Sequence, residues 1–144
     1  DSPGRYRRLA RRQGLGKQVM FLGGRDDVAD LMLAADALVH PALAEAAGIV
    51  LLEALVAGLS VIVTDVCGYA RHIRDAHAGV VLPSPFEQGA LTDAMDRASD
   101  GYFRHQCRER GLAYAGRTDL WSMHSEGARL IAELVGNKQA HADD

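Results

Sequence analysis

The chain has 144 residues, 48% hydrophobic and 24% charged, with a formal net charge of −3. This is the composition of one ordinary globular domain with enough apolar residues for a sizeable core. The acidic balance argues against a general nucleic-acid binder, which would need a basic surface, and no apolar run reaches the length of a membrane span.

The basic residues gather near the start, at Arg5, Arg7, Arg8, Arg11, Arg12 and Lys17. A solvated helix face explains them, and contact with anionic lipid headgroups is the functional alternative. Cys67 and Cys107 are the two cysteines and form no metal-ligating spacing, consistent with a reduced cytoplasmic compartment. The opening Asp1-Ser2-Pro3-Gly4 lacks an initiator Met and reads as the interior of a longer protein.

In chain order, Ser2-Pro3 predicts a helix start, with the helix running to about Gln13 and stopping at Gly14. Val19–Leu22 is a short apolar run before Gly23-Gly24 and predicts a buried strand, with Phe21 and Leu22 as core. Asp26 or Asp27 then caps a helix whose Val28, Leu31, Met32 and Ala35 recur at helical spacing. Ala37–His40 predicts a strand ended by Pro41. A loop to about Ala46 leads into an apolar helix, about 47–57, stopped by Gly58. Val61–Thr64 is the next strand, Cys67-Gly68-Tyr69 a turn, and a short helix follows to about Asp75. Gly79–Leu82 is a further strand, and helices are expected at about 87–99, 102–115 and 122–136. Trp121, with Leu120, Leu130 and Leu134, reads as core for the closing helices. The tail, 137–144, is polar.

Strands alternating with helices predict an α/β domain over residues 1–136: a parallel sheet covered on both faces, in three α/β/α layers. Ligands of such sheets bind beyond the carboxyl ends of the strands. That rule gathers residues 23–25, 41–48 and 65–69 around one site.

The chemistry concentrates in Glu45-Ala46-Ala47-Gly48-Ile49-Val50-Leu51-Leu52-Glu53. Glu53 is the sole charged residue from Ala46 to Leu59. A helix apolar all round is expected to be buried, and a buried carboxylate needs a hydrogen-bond donor. That donor is a ligand hydroxyl or a group of the protein itself. Glu45 hangs over the start of the same helix, whose free N–H groups and partial positive charge suit a phosphate. Gly48 permits close approach to the backbone. From a helix start near Ala47 to Glu53 is roughly 9 Å at 1.5 Å per residue, enough for a nucleoside diphosphate with its phosphates at the tip and its ribose beside Glu53.

Glu45…Glu53-Ala54-Leu55-Val56-Ala57-Gly58 resembles the E-x7-E donor motif of retaining glycosyltransferases with two Rossmann-like domains, the GT-B type. Val19–Gly23, Ala34–Pro41 and Val61–Gly68 resemble the neighbouring strand-and-loop units of that family in the same order. His40-Pro41-Ala42, Glu45–Ala54 and Val66–Ala70 further resemble the bacterial lipopolysaccharide core glucosyltransferases. The resemblance implies the C-terminal, Rossmann-like half of a GT-B fold lacking its first strand, and a UDP-sugar donor, with UDP-glucose expected. It further implies a lipopolysaccharide core acceptor held by a missing N-terminal domain; the N-terminal basic cluster offers peripheral contact with the inner membrane as its functional alternative. Carried over by position, Glu45 is the catalytic-site carboxylate against the donor sugar, without being assigned as a nucleophile. Glu53 holds the ribose hydroxyls, the amides of Gly48, Ile49 and Val50 face the sugar and diphosphate, and Arg25, next to Gly23 at the strand end, is a diphosphate contact. Where the family at large often has Gly-Gly-x-Pro-Glu after the third strand, this chain has Cys67-Gly68-Tyr69-Ala70-Arg71. His40 and Tyr69 border the site or are plain structural residues.

No D-x-D is present, so neither a metal nor any other cofactor is expected; helix dipole and basic residues take over charge stabilisation. P-loop, G-x-S-x-G and G-x-G-x-x-G motifs are absent too. Three rivals remain on the same fold: a nucleotide-sugar epimerase, a phosphorylase, and a non-catalytic nucleotide-sugar-binding domain. A phosphorylase needs a pyridoxal phosphate lysine, and Lys17 and Lys138, the only lysines, lie at no predicted site.

Overall fold

A computed structural model describes residues 3–122 and residue 129. Ser2, the helix expected at 122–136 with Leu130 and Leu134, and the polar tail lie outside the described residues. The elements are α1 (Pro3–Arg12), α2 (Val28–Ala34), β1 (Ala37–His40), α3 (Val50–Ala57), β2 (Ser60–Thr64), α4 (Ala70–Ala76), β3 (Gly79–Leu82), α5 (Gln88–Ser99) and α6 (Gly101–Ala115).

The strands form a parallel sheet in the order β1-β2-β3, with Leu38 opposite Val61 and Ile62 opposite Val80. All five residues of the central strand are buried. Its side chains alternate between two cores, as a pleated strand demands. Val61 and Val63 join Leu51, Leu52, Leu55 and Ile73 from α3 and α4. Ile62 points the other way, into Leu82, Leu91, Ala94 and Ala98. Such two-sided burial makes the three layers, and each fully buried leucine of α3 contributes about 1.5–3 kcal/mol.

Helix ends follow local chemistry. Gly58 takes the left-handed conformation, φ 76°, that closes α3. The Asp100 carboxylate accepts from the Tyr102 amide and caps α6 at 3.0 Å. At α2 the expected side-chain cap is not made: Asp27 occupies the N-cap position, but its carboxylate is taken by the Arg25 guanidinium.

Residues 19–22 do not form the expected strand. Within the described residues they belong to no ladder, and Met20 and Leu22 are exposed rather than core. A strand needs a neighbour for its N–H and C=O groups. Here the segment leans on α1 instead, with the Arg7 guanidinium 5.5 Å from the Phe21 ring centre. Trp121, expected in the core, is 53% exposed while its neighbour Leu120 is buried. The Asp119 carboxylate accepts from the Trp121 and Ser122 amides, which fixes a turn there and leaves the indole outward.

Candidate functional site

The loops after β1 and β2 meet at the carboxyl end of the sheet, as the fold rule requires. Thr64, fully buried at the end of β2, donates its hydroxyl to the Ala42 carbonyl at 2.6 Å. Gly68 and Tyr69 donate their amides to the carbonyls of Ala46 and Ala47 at 3.3 and 3.0 Å. Gly68 is obligatory at this seam, because a Cβ there would lie 2.7 Å from the Ala46 oxygen. The sequence predicts Thr64 as a strand end and Gly68 as a turn residue; nothing in their spacing discloses the contact.

Gly48 adopts φ 78°, and a Cβ on it would sit 3.5 Å from the Glu45 side chain, so Glu45 and Gly48 face each other across the loop mouth. α3 begins at Val50 rather than near Ala47. The left-handed Gly48 precludes an earlier start. The first amides to find acceptors are Leu51 on the Gly48 carbonyl, 3.0 Å, and Leu52 on the Ile49 carbonyl, 2.9 Å. By helix geometry the Ile49 and Val50 amides precede that turn and point outward along the axis. The axial distance from the helix start to Glu53 is thereby about 4.5 Å, half that expected for a start near Ala47.

Glu53 is exposed, contrary to the expectation of a buried carboxylate. α3 buries Leu51, Leu52, Ala54 and Leu55 but presents Glu53 and Val56 outward, on the same side as the exposed Ile49 that precedes it. Hydropathy could not tell this apolar stripe from a core face. The stripe borders a cleft of about 300 Å³ between α2 and α3, lined by Val28, Ala29, Met32, Leu33, Glu53, Val56 and Ala57. Glu53 is its single charged lining residue. A concave apolar surface with one polar anchor is the ordinary form of a small-molecule site.

Arg25 is engaged by Asp27 in a two-point ion pair at the surface, and the carboxylate holds the guanidinium pKa above its usual value. Gly23 takes φ 72° in open space. Among the described residues no backbone hydrogen bond ties residues 23–25 to the loops after β1 and β2, so the structure assembles Glu45, Gly48 and the start of α3, and leaves Arg25 with a different partner. His40 ends β1 with its Nε2 3.9 Å from a Glu45 oxygen. Burial pushes the nearby Cys67 thiol up, and the Glu45 charge acts in the same direction, so this cysteine stays a neutral core residue. Among the described residues no three His, Cys, Asp or Glu side chains gather as a metal-binding group.

Tyr69 is a core residue, 6% exposed, and does not line the mouth. Its ring meets that of His72 at a tilt of 47°, ring centres 5.7 Å apart, and His72 Nδ1 lies 3.0 Å from the Tyr114 hydroxyl. Arg71 donates to His72 Nε2 at 3.4 Å, which makes that nitrogen the acceptor and Nδ1–H the donor to Tyr114. Burial, and secondarily the Arg71 charge, push the His72 pKa down, against a smaller opposing pull from Asp75. The folded pKa therefore lies below the unfolded value of about 6.5. This stability is fully present above pH 6.5 and is lost as pH falls through the folded pKa. Melting temperature should fall between pH 7 and pH 5, and His72→Phe should flatten that slope. The carboxylates with lowered pKa, Asp27 and Asp119, act only further into acid. An unchanged slope in the variant would exclude His72 as its source.

Comparison with known proteins decides the family. Residues 2–113 match the family model described as glycosyl transferases group 1. The chain belongs to this family. It is 45% identical over 132 residues to the lipopolysaccharide glucosyltransferase WaaG of Escherichia coli (strain K12), covering 91% of this chain and 35% of that protein. The crystal structure of WaaG, a glycosyltransferase involved in lipopolysaccharide biosynthesis, superposes with a TM-score of 0.84, again over 91% of this chain and 36% of that one. Sucrose-phosphate synthase from Thermosynechococcus elongatus gives 0.79 at 25% identity, covering 93% of this chain and 34% of that one. The α/β, Rossmann-like architecture is that of GT-B glycosyltransferases, and the chain spans about a third of the length of these relatives. No described helix is long and apolar enough to cross a membrane.

Proposed function

We propose that this chain is the donor-binding part of a longer, retaining, metal-independent glucosyltransferase that takes UDP-glucose and extends the lipopolysaccharide core. The α2–α3 cleft carries the reading: an apolar recess along the middle and end of α3, with Glu53, one turn from the helix start, as its one charged lining residue. The base and ribose lie along that recess, and Glu53 accepts from the ribose hydroxyls. The Ile49 and Val50 amides meet the diphosphate, where the helix dipole adds positive potential. Gly48 admits the sugar close to the backbone, and Glu45 accepts from its hydroxyls. Arg25 reaches the diphosphate after exchanging Asp27 for it. As the anomeric carbon–oxygen bond breaks, negative charge grows on the leaving UDP, and the fixed amides stabilise it without reorganising. The acceptor sits in the other domain, on the cytoplasmic face of the inner membrane with which the enzyme makes peripheral contact.

Similarity to a lipopolysaccharide glucosyltransferase supports the sugar and the acceptor; the lack of a D-x-D motif supports independence from metal. The test is transfer by the full-length enzyme from UDP-glucose to a lipopolysaccharide core acceptor, with and without EDTA, and with the anomeric configuration of the product read by NMR. An α-linked product at an undiminished rate in EDTA is expected. A β-linked product would refute retention, and a rate abolished by EDTA and restored by a divalent ion would refute metal independence.

A further inference from the structure

We infer that His40 is a positioning residue for Glu45: its imidazole Nε2–H closes on the Glu45 carboxylate when the donor fills the site, and holds that carboxylate toward the sugar. The inference rests on the proposal that Glu45 meets the donor sugar. His40 Nε2 is sequestered from solvent and has no hydrogen-bond partner, a state that buried polar nitrogens seldom tolerate. The polar group facing it is the Glu45 carboxylate, and at 3.9 Å the pair is an ion-pair contact at best, too long for a hydrogen bond. A normal N–H···O distance is about 2.9 Å, so a movement of about 1 Å closes it.

The backbone cannot easily supply that movement. His40 is paired with Val63 in the sheet, and the loop carrying Glu45 is pinned on both sides, by Thr64 at Ala42 and by Gly68 at Ala46. Rotation of the half-exposed Glu45 side chain can. The carboxylate then has two settings: the open one seen here, and one closed on His40, in which one oxygen is fixed and the other remains for a sugar hydroxyl. An immobilised acceptor favours the sugar because its ordering is already complete before the hydroxyl arrives.

A double-mutant cycle on the full-length enzyme tests this, with UDP and UDP-glucose as the two probes and a melting temperature for each variant. His40→Leu should weaken UDP-glucose about five- to tenfold and leave UDP within about twofold. His40→Gln, which offers an amide N–H at similar reach, should recover most of the loss. In a Glu45→Ala background, His40→Leu should have no further effect on either probe. Equal weakening of UDP and UDP-glucose by His40→Leu, or a loss that persists undiminished in Glu45→Ala, would overturn the positioning role while leaving Glu45 in place. If Glu45→Ala itself leaves the relative affinity for the two probes unchanged, Glu45 does not meet the sugar, and the donor-site assignment falls together with the role of His40.

Discussion

Glu53→Gln is expected to weaken UDP-glucose binding to the full-length enzyme about tenfold and to leave its melting temperature nearly unchanged. Gln keeps the volume of the side chain and one acceptor oxygen but removes the charge. A hydrogen bond to a charged acceptor is roughly twice as strong as one to a neutral acceptor, and a loss of about 1.4 kcal/mol is a factor of ten in affinity. Stability should not respond, because Glu53 is exposed on α3 and its charge is already solvated in the free protein. UDP alone should lose affinity by the same factor, since it carries the same ribose. Glu53 therefore separates from Glu45, whose replacement should spare UDP. Calorimetry with both ligands and a thermal melt on one preparation decide the matter. A variant that melts much lower yet binds UDP normally in its folded fraction would make Glu53 a structural residue and remove it from the donor site.

The sequence disclosed the order of elements well where pattern and punctuation agreed. β1 and β3 are short runs stopped by the prolines that follow them, Pro41 and Pro83, β2 is a short β-branched run, and α3 stops at a glycine that takes the left-handed conformation. The E-x7-E segment, together with the strand-and-loop units at Val19–Gly23, Ala34–Pro41 and Val61–Gly68, carries the resemblance to the family that the comparisons show. What it could not convey was which apolar stripe of a helix is covered. The all-apolar neighbours of Glu53 in sequence predict burial, yet Ile49 and Val56 stand on the same open face. Residues 19–22 have strand composition, but composition cannot supply a pairing partner. The site is also made by contacts between segments about twenty residues apart, Thr64 with Ala42 and Gly68 with Ala46. Each is an unremarkable residue type at its own position. Their roles exist only once β1 and β2 lie side by side.

Gly68→Ala should therefore damage the proposed donor site more than its small size suggests. The added methyl would lie 2.7 Å from the Ala46 carbonyl oxygen and 3.6 Å from the Ala47 Cα. Both are backbone atoms, so no side chain can swing away, and the two loops must separate. The Gly68 and Tyr69 amides would then lose their bonds to the Ala46 and Ala47 carbonyls, the residues that lead directly into Gly48 and the start of α3. Overpacking of this kind costs about 1–3 kcal/mol of stability, which leaves a folded protein in which the site is displaced. We expect at least a tenfold loss of UDP-glucose affinity, because displacement of the loop misaligns the Glu45 carboxylate and the α3 amides together, and close polar geometry is steeply distance-dependent. Gly89→Ala is the matched control: it lies in the first turn of α5 with no atom near the new methyl, and should bind donor normally and melt no lower than the parent. If Gly68→Ala melts lower but binds UDP-glucose as tightly as the parent, the contact between the two loops serves the fold alone, and the donor site does not depend on how residues 45–48 are held.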